Sequence, residues 1–85
     1  MDSLIDYPCD FPIKVIGKSQ RGFAQAVAEV VVHHDPGFDA ATMQMRSSSA
    51  TRYLSLTCTV RATSREQLDA LYQELCDHPL VMMVL

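Results

Sequence analysis

Residues 53–62 constrain the fold more than any other stretch of the chain. Leu54, Leu56, Cys58, Val60 and Ala62 alternate with Tyr53, Ser55, Thr57, Thr59 and Arg61, the period of two of a strand with one buried and one wet face. Directly after it, Thr63-Ser64-Arg65-Glu66-Gln67 offers a capping box twice over, Thr63 with Glu66 or Ser64 with Gln67. Leu68, Leu71, Tyr72 and Leu75 then recur at i, i+3, i+4 and i+7, which predicts a helix from Ser64 to about Asp77. Pro79 stops it, and Leu80 to Leu85 reads as a last strand, apolar on both faces.

The first half repeats that order. Residues 1–10 read as an N-terminal leader, and residues 11–85 as a single domain. Phe11, Ile13 and Val15 alternate with Pro12, Lys14 and Ile16, a strand that runs to Lys18. Phe23, Val27, Val30 and His34 recur at helical spacing, predicting a helix from about Ser19 to His34, although Val30-Val31-Val32 locally prefers a strand. Asp35-Pro36-Gly37 ends that helix. A second strand is expected over Ala41 to Ser47, joined to the next by Ser47-Ser48-Ser49-Ala50.

The order is therefore β-α-β-β-α-β. Two right-handed crossovers interleave into a four-stranded antiparallel sheet with both helices on one face, an α+β ferredoxin-like sandwich. The first and third strands are the richest faces to set beneath the helices, so they should be central, with the second and fourth at the edges.

Size and charge exclude several function classes. With 85 residues the chain makes one small domain, burying roughly 60% of its unfolded surface. The apolar ending, Pro79 to Leu85, is far shorter than the roughly 20 residues a membrane helix needs. The opening Met-Asp-Ser has neither the basic nor the apolar region of a secretory signal. Cys9, Cys58 and Cys76 cannot all pair, and free thiols in a reducing cytoplasm are the simplest account. A net charge of −3 and one aromatic on the wet face of the third strand argue against nucleic acid, despite Lys14, Lys18, Arg21, Arg46, Arg52 and Arg61.

Candidate chemistry is sparse. His33-His34-Asp35 suggests metal ligation or acid–base work, but neighbouring helical positions point about 100° apart. The plainer reading sets both imidazoles at the negative end of a helix dipole. Cys76-Asp77-His78 lacks the second ligand pair of a zinc site. No catalytic or metal residue is assigned, and no motif calls for a cofactor. Gly17-Lys18-Ser19-Gln20-Arg21-Gly22 is the one candidate ligand-binding segment. Its glycines permit close backbone approach, a helix start attracts anions, and Lys18 and Arg21 add positive charge. A strand-to-helix turn also needs a glycine for its own geometry.

Several stretches together are similar to the YbeD-like family of small, functionally uncharacterised bacterial proteins. They are Phe11-Pro12-Ile13-Lys14-Val15-Ile16-Gly17, His34-Asp35-Pro36-Gly37, Ser47-Ser48-Ser49 leading to Tyr53-Leu54-Ser55, Glu66-Gln67-Leu68, Leu71-Tyr72-Gln73-Glu74-Leu75 and Val81-Met82-Met83-Val84-Leu85. The resemblance implies a ferredoxin-like fold similar to ACT regulatory domains, which bind amino acids or other small effectors at the first strand-to-helix loop, often as dimers. Gly22 then stands where those domains carry their ligand-loop glycine. Ser19-Gln20-Arg21 replaces the acidic residue that usually precedes it.

The expected function is a non-catalytic binding or regulatory module that acts on a protein partner or senses a small metabolite. The alternative is a small enzyme or carrier that uses the same loop on an anionic substrate. Acylphosphatases share this fold and use an Arg in that loop together with an Asn, but the chain contains no Asn. The apolar last strand, extended by Ile16, points to a homodimer through the C-terminal strand, with Leu4, Ile5 and Tyr7 of the leader as the rival cover.

Overall fold

The computed structural model describes residues 6–47 and 52–85. Its elements are β1 (Cys9–Lys18), α1 (Phe23–His34), a short 3-10 turn (Ala40–Thr42), β2 (Gln44–Ser47), β3 (Tyr53–Ala62), α2 (Arg65–Asp77) and β4 (Val81–Val84). The sheet order is β2-β3-β1-β4, and every neighbouring pair is antiparallel. The two patterned strands are central, as expected.

Register explains the core. Ile13 lies opposite Cys58 and Val15 opposite Leu56, so both strands turn the same alternate set toward the helices. Phe23, Val27, Val30 and Val31 of α1 meet that set, as do Leu68, Leu71 and Leu75 of α2. The β-branched run does not break α1, because two of its valines are buried there and outweigh local preference.

Three element starts and the alternation of β4 differ from the sequence reading. β1 starts at Cys9 because Cys9 and Asp10 pair with Ala62 and Arg61, so the predicted leader contributes its last two residues to the sheet. α1 starts at Phe23 and not Ser19, because Gly22 takes a left-handed conformation with φ 87° that no helix continues through. β2 starts at Gln44, since Asp39 Oδ1 accepts the Ala41 N–H at 3.0 Å and bends the preceding residues into the 3-10 turn. In β4 strict alternation fails. A bulge at Ile16/Gly17 sets Val81 against Gly17 and Met83 against Ile16, leaving Met82 unopposed. Leu80, Val81 and Val84 pack on the core, while Met82, Met83 and Leu85 are exposed.

Ser64 is the cap of α2, its Oγ accepting the Gln67 N–H at 3.0 Å. Gln67 Oε1 accepts the Thr63 N–H at 2.7 Å, while Nε2 donates to the carbonyls of His34 at 2.9 Å and Arg61 at 3.1 Å. One side chain thereby ties the ends of α1 and β3 to the start of α2. The predicted serine turn, from Ser48 to Ala50, lies outside the described residues, as do Leu4 and Ile5 of the leader. Among the described residues no helix is long and apolar enough to cross a membrane.

Candidate functional site

The β1–α1 loop begins where Gly17 passes beneath α1. A methyl group on Gly17 would overlap the Phe23 ring and the Leu80 carbonyl oxygen, so this glycine is required by packing. It is buried, and it stands apart from the ligand-facing surface expected of it. Beyond it the chain turns outward, and the Ser19 N–H donates to the Arg52 carbonyl at 2.7 Å. That bond fixes the loop against the start of β3.

Lys18, Ser19 and Gln20 line an open depression of about 470 Å³ together with Arg52 and Tyr53. Half of the expected segment is thus brought to one place. Arg21 and Gly22 lie on the exposed turn outside this lining, where Gly22 supplies the left-handed start of α1. Arg52 and Tyr53 are additions the sequence reading did not make, and only the antiparallel pairing of Lys18 with Tyr53 supplies them.

The lining combines two cations, two hydroxyls, an amide and an aromatic face. Such a set takes a carboxylate or phosphate on the cations and a planar or apolar portion on the tyrosine ring. The depression is open to water, so each charge pair at 4 Å contributes about 1 kcal/mol rather than the larger value of a dry site.

A second cluster joins the helices. His33 Nδ1 lies 3.1 Å and His34 Nε2 2.6 Å from the same oxygen, Glu74 Oε1. The expectation that adjacent helical histidines diverge is corrected here. His33 uses its near nitrogen and His34 its far one, so rings rooted about 100° apart reach a common point. These hydrogen bonds, first from His34 and then from His33, hold the Glu74 carboxyl below its ordinary range. Cys76-Asp77-His78 does not converge on one point. Cys76 is exposed, Asp77 accepts from Gln73, and His78 Nδ1 accepts the Leu80 N–H at 3.1 Å.

Asp35 is a buried carboxylate with a structural task. Its Oδ2 accepts the Arg61 N–H at 2.9 Å and fastens the end of α1 to β3.

Residues 2–85 match the model of a family described as a protein of unknown function, DUF493. The chain belongs to this family. A UPF0250 protein of Nitrosomonas europaea is 61% identical over 84 residues, covering 99% of this chain and 97% of that one. Another from Bordetella pertussis is 61% identical over 84 residues, with 99% and 92% covered. The YbeD-like resemblance agrees with this membership.

Among solved structures, protein HP0495 from H. pylori superposes with a TM-score of 0.72 at 18% identity, covering 99% of this chain and 91% of that one. The ACT domain from GTP pyrophosphokinase of Chlorobium tepidum gives 0.66 at 15% identity, with 89% and 84% covered. At such identities the likeness is one of fold, and the DUF493 chain has an ACT-like fold.

Proposed function

We propose that this chain is a non-catalytic binding or regulatory module that senses a small anionic metabolite at the β1–α1 loop. The observation that carries the reading is the depression in which Lys18 and Arg52 stand beside Ser19, Gln20 and Tyr53. The ACT-like fold supports it, since one structural neighbour is an ACT domain from an enzyme. The lining is suited to holding and orienting an anion. Proton transfer near neutral pH is the work of imidazoles and carboxylates, a different set.

A thermal-shift panel of amino acids, dicarboxylates, phosphorylated metabolites and nucleotides tests this reading. A ligand at a hundred times its dissociation constant adds about 2.7 kcal/mol. The stabilisation should vanish in Lys18→Ala and Arg52→Ala and persist in Arg21→Ala. A panel without any stabilising anion overturns the metabolite reading and favours a protein partner.

The assembly proposed with this function is a homodimer joined at β4. That strand ends the sheet order, and Met82, Met83 and Leu85 beside it are 57%, 53% and 62% exposed. Ile16 pairs with Met83 and continues the apolar stripe onto the open sheet face. Edge strands pair readily with a second copy.

A further inference from the structure

We propose that His33, His34 and Glu74 form a binding site for a divalent transition-metal ion of the zinc type. Their donor atoms, two imidazole nitrogens and a carboxylate oxygen, all lie within 4.8 Å of one another. A tetrahedral zinc ion with bonds of 2.0–2.1 Å holds its ligands roughly 3.4 Å apart, so small side-chain rotations complete the set. Two imidazoles and one carboxylate suit zinc, cobalt, nickel or copper rather than magnesium or calcium, which favour oxygen ligands.

The surroundings favour a cation. His34 is the last residue of α1, where the helix dipole is negative. Its side chain is 15% exposed and that of Glu74 43%, so the bond joining them is partly shielded while the third donor, His33, remains open to solvent. Because the donors come from two different helices, an ion there would clamp α1 against α2. Three protein ligands leave at least one coordination position for water or an outside ligand.

The site is separate from the anion depression. It occupies the C-terminal end of α1, a helix of 12 residues whose other end adjoins the β1–α1 loop. At a rise of 1.5 Å per residue the two ends are roughly 17 Å apart. Metal binding and anion binding therefore stand or fall independently.

Zinc titrated calorimetrically into the chelator-stripped chain provides the test, with cobalt as a spectroscopic probe. One equivalent should bind, and at a hundred times the dissociation constant Tm should rise by about 10–20 °C. Binding should be lost in His34→Ala and in Glu74→Gln, the latter keeping the shape and hydrogen-bonding reach of the side chain. It should persist in a Cys9→Ser/Cys76→Ser double variant and in His78→Ala. The cobalt form should absorb in the visible without a thiolate charge-transfer band. No binding, binding unaffected in Glu74→Gln, or a thiolate band would each overturn the proposal.

Discussion

Gly17 and Gly22 are both loop glycines in the sequence, yet they do opposite things. Gly17, near the end of β1, is pressed against the Phe23 ring and the Leu80 carbonyl, whereas Gly22 has open space around it and a φ of 87°. Gly17→Ala should destabilise the fold by about 1–3 kcal/mol through overpacking, and Gly22→Ala by about 1–2 kcal/mol through backbone strain. Urea melts check both, and only the Gly17 variant should also perturb Phe23 packing in side-chain NMR. Cys58 carries a pH effect. Burial pushes its thiol up from the ordinary value of about 9, which the unfolded chain would recover, to about 11. Between those values the unfolded chain releases a proton that the folded chain keeps, so stability falls as pH rises. That alkaline loss should be smaller in Cys58→Ala. Thiol reagents at neutral pH should modify exposed Cys76 and spare Cys58 until the chain unfolds.

At the scale of elements, the junctions carry more consequence than the helix interiors. Ser64→Ala removes the cap of α2 and should cost about 1 kcal/mol in thermal or urea unfolding. Asp35→Ala strands the Arg61 N–H without its acceptor and should cost about 1–3 kcal/mol by the same measurement. An equal, near-zero effect of both would mean that water replaces these side chains freely. β4 shows how one extra residue redirects a strand. Without the bulge at Ile16/Gly17, strict alternation would set Val81 and Val84 on opposite faces; with it, both valines reach the core.

The described residues form a two-layer sandwich in which both helices pack on one face of the sheet. Leu71→Ala, at the centre of the core, should cost about 2–5 kcal/mol, a large share of the stability of a domain this size. Thr59→Ala on the wet face should stay within about 0.5 kcal/mol. The proposed pairing at β4 is read by light scattering: the intact chain should be dimeric, and Met82→Lys with Met83→Lys should yield monomers that keep the wild-type helix content. A monomeric wild-type chain would exclude the dimer.

The architecture was legible because it rests on local periodicity. The alternation of β3, the i, i+3, i+4, i+7 face of α2 and a capping box at Thr63 or Ser64, of which the structure uses Ser64, each report a short-range geometry that residues near in sequence dictate. Right-handed crossover then leaves few ways to join the elements. Of the candidate loop, Lys18, Ser19 and Gln20 could be named in advance because they are consecutive residues between two glycines, although Arg21, named with them, lies outside the depression. The partners of those three could not. Arg52 and Tyr53 reach the depression only because β1 and β3 pair in one register, and no spacing along the chain encodes that meeting. Nor does any spacing reveal Glu74 beside His33 and His34, 41 and 40 positions away. Their convergence required helix packing to choose which nitrogen of each imidazole faces α2. Local sequence sets the direction in which each backbone segment runs; the contacts that make chemistry form between segments, where only the folded arrangement selects the neighbours.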